Sequence, residues 1–162
     1  QYSFTPSDHF KAYLNYAGGK NVDTTKTDQF DLVLTSKISD RFNLGYNGTI
    51  NRTATYLGNK IFDETKNWWG SALYVHFDPS AKAGFTLRQE VFNDDNQLKI
   101  YGSRLKGGNI MATTVSANFK SSNLVFIPEF RWEKASEAIF LNSEGESRTW
   151  ASRILLAVIC QF

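Results

Sequence analysis

A strict two-residue alternation runs through most of this chain, and one of the two faces it creates is small and polar. Phe42, Leu44, Tyr46, Gly48 and Ile50 alternate with Asn43, Gly45, Asn47, Thr49 and Asn51. On an extended strand this sends the large apolar side chains to one side and none to the other. A face of glycine, asparagine and threonine cannot pack a dry core, so burial between two sheets is excluded for this segment. The same order recurs. Phe30, Leu32, Leu34, Ser36 and Ile38 oppose Asp31, Val33, Thr35 and Lys37, and Trp69, Ser71, Leu73, Val75 and Phe77 oppose Gly70, Ala72, Tyr74 and His76. Further along, Ala83, Phe85, Leu87, Gln89 and Val91 oppose Gly84, Thr86, Arg88 and Glu90, followed by segments from Met111 to Phe119, Leu124 to Glu133 and Trp150 to Phe162. With an opening strand carrying Phe10, Ala12, Leu14 and Tyr16, the count is about eight strands of roughly 9 to 13 residues, longer than is usual in soluble sheets. The expected fold class is all-β, an antiparallel barrel forming a single domain over residues 1–162.

The connections sort into two kinds. Tight joins fall at Thr5 to Asp8, Ser39 to Arg41, Asp78 to Ser80 and Ser121 to Asn123, all rich in turn-forming residues. Between them lie polar links at Ala17 to Thr27, Arg52 to Asn67, Asn93 to Gly108 and Lys134 to Arg148. One short rim and one long rim match the periplasmic turns and extracellular loops of outer-membrane barrels. Aromatic residues follow the same geometry, with Phe10, Phe42, Phe77, Phe85, Phe119 and Phe162 near the short rim and Tyr16, Trp69, Trp132 and Trp150 toward the long one. The eight residues from Trp69 to Phe77 rise roughly 20 Å in a strand tilted by about 40°, close to the ~25 Å apolar band of such barrels. These ten aromatics are therefore the expected membrane-interface residues of a transmembrane barrel. Its partner is outer-membrane lipid and its location the bacterial outer membrane.

Other classes are excluded on composition. The longest apolar run, Ile154 to Cys160, is seven residues, far short of a helical span. A net charge of +2 with interspersed signs gives no nucleic-acid surface, and a lone cysteine, Cys160, gives neither an internal disulfide nor a multi-cysteine metal site. The two histidines, His9 and His76, lie beside tight turns without metal-ligand spacing, and no Gly-x-Ser-x-Gly elbow occurs. No catalytic residue, metal ligand or cofactor is expected, and the chain reads as a non-enzyme. Asp94 and Asp95, beside Asn93 and Asn96, have the chemistry of a Ca²⁺ loop but read more simply as a solvated acidic turn. Pro128 inside a strand pattern calls for a bulge.

If the polar face is the lumen of a barrel, Lys82, Arg88, Glu90, Glu129, Arg131, Glu133 and Arg153 point into it from the fifth, seventh and eighth strands. Charges inside a membrane protein mark either a pathway or a salt-bridged plug. The readings that follow are a passive diffusion channel for small solutes or ions, a closed structural or adhesive barrel with binding loops, and a soluble lipocalin-like carrier. The last fits poorly, because Gly45, Asn47, Asn51, Gly70 and Gly84 make a poor solvated exterior and the opening Gly-x-Trp signature is missing.

Longer phrases carry a family resemblance. FTPSDHFKAYLNYAGGK, QFDLVLTSKISDRFNLGYNGTI, WWGSALYVHFDPSAKAGFTLRQEVF, ATTVSANFK and NLVFIPEFRWEKASEAIF resemble the C-terminal part of the OmpL-like β-barrel porin family. The resemblance implies a Bacteroidetes-type, Gram-negative outer-membrane barrel with pore function and no assigned catalytic residues. Members of that family are longer, and in them TPSD joins an earlier strand to the next. Residues 1–4 therefore resemble the remnant of a preceding strand, and the chain the C-terminal part of a larger barrel. A terminal aromatic in strand register, Phe162, resembles the signal read by the barrel assembly machinery, which makes that machinery an expected partner through the last strand.

Overall fold

Alternation this regular leaves the backbone one inexpensive solution, an extended ladder, and the computed structural model adopts it throughout. It describes residues 1–20, 24–58, 61–102 and 105–160; Phe162 lies outside them. The described residues form twelve strands: β1 (Tyr2–Ser7), β2 (Phe10–Lys20), β3 (Thr25–Lys37), β4 (Phe42–Gly58), β5 (Ile61–Phe62), β6 (Lys66–Ser80), β7 (Ala83–Asn93), β8 (Asn109–Ser121), β9 (Leu124–Ala135), β10 (Phe140–Leu141), β11 (Ser147–Arg148) and β12 (Trp150–Cys160). The fold is all-β. One antiparallel sheet runs in the order β1-β2-β3-β4-β6-β7-β8-β9-β12, with β5 beside β4, and β10 and β11 form a separate hairpin. Among the described residues β1 and β12 are the outer strands, and they do not pair with each other.

The main path holds one strand more than the eight expected. Residues 2–7 form β1, pairing Tyr2 with Leu14 and Phe4 with Ala12. The links at 17–27 and 52–67 are also shorter than the sequence suggests, because β2 continues to Lys20, β3 begins at Thr25 and β4 reaches Gly58. Polar residues here are strand formers all the same: Thr25, Thr27, Thr53 and Thr55 are β-branched and pair Thr25 with Thr55 and Thr27 with Thr53.

Asp78 to Ser80 is not a turn but the end of β6. The register shifts by one residue between Phe77 and Ser80, as it does between Phe4 and Ser7 in β1. Each shift contains a proline, Pro79 or Pro6, which cannot donate to the ladder and is accommodated at a bulge. The turns beyond repeat one device: the N–H of His9 donates to Ser7 Oγ, that of Arg41 to Ser39 Oγ and that of Lys82 to Ser80 Oγ, each at 3.3 Å. Pro128 makes no bulge. Its ladder to β12 is unbroken, and β8 and β9 keep one register from Ser116 opposite Glu129 to Phe119 opposite Phe126. The proline is absorbed by a local lapse in pairing with β8, opposite Ala117 and Asn118, without any shift of register.

Register aligns the faces across the whole sheet. One row runs Leu14, Leu32, Gly48, Ser71, Val91 and Met111, each opposite the next. The row behind it, on the other face, runs Tyr13, Val33, Asn47, Ala72, Glu90, Ala112 and Glu133. The first face is exposed and apolar: Leu73, Leu87, Val115, Phe130, Ile154 and Leu156 all stand open. A small dry core lies instead where the β7–β8 loop folds onto the second face, with Tyr101, Ile110 and Ala135 buried and Leu105, Ile139 and Phe140 packed around them. Tyr101 is fixed there by its hydroxyl, which donates to the Asn109 carbonyl at 2.6 Å.

Candidate functional site

On the second face charged and amide side chains from many strands meet in several polar groups. On β2, β3 and β4, the Asp31 carboxylate accepts from Asn15 Nδ2 at 3.1 Å, Asn47 Nδ2 at 3.2 Å and the Thr49 hydroxyl. Toward the long rim Asn51 Nδ2 donates to Gln29 Oε1, while Asn51 Oδ1 accepts from the Thr53 hydroxyl. Period two brings Asn47, Thr49, Asn51 and Thr53 to one side of β4, and the antiparallel pairing with β3 sets Asp31 opposite Thr49.

On β7, β8 and β9 the partners are charged. Arg88 Nε lies 3.1 Å from Glu90 Oε2, Arg131 Nη1 bonds the same carboxylate, and Arg131 Nη2 meets Glu133 Oε1 at 3.0 Å. Thr114, buried between them, accepts from Arg131 Nη1 at 3.0 Å. The pairing Arg88 to Thr114 to Arg131 to Arg153 puts all three arginines on one level of the sheet, with Glu90 and Glu133 one level toward the long rim. Near the short rim His76 stands between the Thr86 hydroxyl (2.8 Å) and Asp78 Oδ2 (3.0 Å).

Of the seven charged residues expected on this face, Arg88, Glu90, Arg131 and Glu133 form one connected group. Arg153 faces the same way beside Arg131 but is exposed, and no ion pair is formed by it among the described residues. Glu129 is half-buried on the same face, opposite Ser116, outside the group. Lys82 is exposed in the β6–β7 turn, its carbonyl accepting from the Lys120 N–H. The expected interface aromatics Phe10, Tyr16, Phe42, Trp69 and Phe77 share the apolar face, as do Phe85, Phe119, Trp132 and Trp150. Phe85 and Phe119 meet edge-on with centroids 6.1 Å apart.

Asp31, Thr114 and Trp68 escaped sequence reasoning, since each acquires its partners only through cross-strand register. Asp94 was misread. Neither solvated nor free to hold a cation, it is fully buried, and its two oxygens accept the N–H groups of Leu98, Lys99, Ile100 and Tyr101 at 2.7 to 3.2 Å. No group of three His, Cys, Asp or Glu able to hold a metal ion occurs among the described residues.

A polar wall backed by an exposed apolar one is an arrangement suited to a boundary between water and something oily. No curated protein and no solved structure matches the chain. A family model does, over residues 1–162, and the chain belongs to the family described as putative beta-barrel porin-2, OmpL-like.

Proposed function

We propose that this chain forms the wall of a passive diffusion channel for small solutes or ions in the bacterial outer membrane. The carrying observation is the contrast between faces. One presents ion pairs, amides and hydroxyls from β2 to β9, with Arg88, Glu90, Arg131 and Glu133 joined side chain to side chain, and the other a mainly apolar, exposed surface. Large exposed apolar patches mark a lipid or protein partner, and intramembrane charge is tolerated where water or an opposite charge meets it. Lipid then covers Leu73, Leu87, Val115, Phe130, Ile154 and Leu156, with the Trp and Phe side chains at its two boundaries, while Arg88, Glu90, Glu129, Arg131, Glu133 and Arg153 line the lumen and Lys82 its short-turn mouth. Unpaired edge groups cost several kcal/mol each in hydrocarbon, so this reading requires strand pairing at both β1 and β12 in the membrane, and the barrel assembly machinery acts on the latter. The chain works without catalysis, metal or cofactor.

Planar-bilayer recording of the refolded 162-residue chain tests this. Steady open events are expected, and Arg88→Glu with Arg131→Glu shifts the preference toward cations. A silent chain that is β-rich and heat-resistant in detergent points instead to the closed structural barrel, and a chain soluble without detergent removes the membrane reading altogether.

A further inference from the structure

We infer that the polar face carries a binding site for an uncharged, polyhydroxylated solute of the sugar class. The inference rests on the channel reading for its biology but not for its chemistry. A cavity of about 330 Å³ opens at mid-height on this face, within the size range that holds a small organic ligand. Three aromatic residues line it, Trp68, Tyr74 and Phe92, beside the polar groups described above. Small residues make room for the rings: Tyr74 lies against Gly45, and Phe92 against Gly70, each 3.4 Å from where a Cβ would stand. Phe92 also tilts against Trp68 at 5.6 Å between centroids.

Around the rings stand Gln29, Asn47 and Thr49 on one side and Glu90 and Arg131 on the other. Flat apolar faces bordered by amides and hydroxyls match a sugar, whose ring C–H groups lie on an aromatic face while its hydroxyls bond at the edge. Charge argues the same way. Arg131 is already held by Glu90 and Glu133, so the cavity offers no uncompensated cation to an anionic guest and no free carboxylate to a cationic one. Two donors remain unused: Trp68 Nε1 and Arg131 Nε are buried without a partner among the described residues. Such groups ordinarily find an acceptor, and a hydroxyl oxygen is one. From the β7–β8 loop Lys99 reaches over the Trp68 ring at 5.6 Å, so the loop covers the long-rim side of the site.

The test is a maltose titration of the refolded chain in an amine-oxide detergent, which avoids sugar headgroups, read by saturation transfer to the maltose C–H protons. Saturable transfer is expected, weakened about tenfold or more by Trp68→Ala and about fivefold by Gln29→Met, and unchanged by Trp69→Phe on the opposite face. Gln29→Met keeps the test alive if Trp68→Ala fails to fold, as judged by circular dichroism. Absence of transfer, transfer indifferent to both variants, or citrate binding more tightly than maltose would each overturn the site. Maltose binding by a chain that passes no current upholds the site and sinks the channel, and current without maltose binding does the reverse.

Discussion

The two halves of the polar face keep a carboxylate out of bulk water by different means. On β2 to β4, Asp31 is surrounded by three neutral donors, Asn15, Asn47 and Thr49. On β7 to β9, Glu90 is gripped by two guanidinium groups. Neutral donors leave the negative charge in place and visible along the wall, whereas guanidinium groups cancel it and tie three strands together. One half thus sets local potential, the other mechanical coupling, although both sit on the same sheet and at similar heights.

That contrast can be broken at its strongest point first. Arg131→Leu strips Glu90 of one partner and Glu133 of its only described one, and should cost about 3 kcal/mol, since an orphaned half-buried charge is worse than no pair; urea unfolding in lipid vesicles reads it. A loss under about 1 kcal/mol would show the group to be solvated and the two halves alike. Asp31→Asn should cost about 1 kcal/mol in the same assay, because the amide still accepts from two of its three donors. Were it the costlier change, the roles of the halves would be exchanged.

A double-mutant cycle of Arg88→Gln and Glu90→Gln sharpens the comparison further, with an expected coupling of about 1 kcal/mol. The corresponding cycle of Asn15→Ala and Thr49→Val should fall below about 0.5 kcal/mol, both donors serving one acceptor independently. The smallest effect lies outside the wall, in the β3–β4 turn. There the Lys37 ammonium, 2.7 Å from Asp40 Oδ1, holds that carboxyl below its ordinary range. A depressed carboxyl contributes stability above its unfolded pKa and loses it as pH falls through the folded one. The pair is exposed, so NMR titration of Lys37→Gln should show Asp40 returning upward with no measurable change in unfolding.

Much of this architecture is legible in residue order. Period two reveals both faces, because a strand turns alternate side chains to opposite sides whatever its neighbours are. Strand ends are less legible: Thr53 and Thr55 read as loop by polarity but extend β4 by their β-branching. Pro79 reads as a turn and proves to be a bulge, and Pro128 reads as a bulge and proves to be a lapse in one ladder. Each outcome depends on which neighbouring strand lacks a donor, a fact absent from the chain's own order. The site follows the same rule. Arg88, Glu90, Arg131 and Glu133 were visible as charges on one face, but their joining through Thr114 follows from register, as does the meeting of Trp68 with Phe92. Asp94 hid completely, since an acidic residue among asparagines looks solvated until the backbone curls around it.

That last residue bears on how the outer surface can change over time. The four groups that bind Asp94 are backbone N–H groups of residues 98–101, so the curl is specified by one carboxylate and not by the identities of Leu98, Lys99 or Ile100. Any residue except proline can replace those three without removing a donor. The loop's shape and its outward chemistry are thereby separated, and its exposed side chains can drift freely over evolution while the contour they sit on is inherited unchanged.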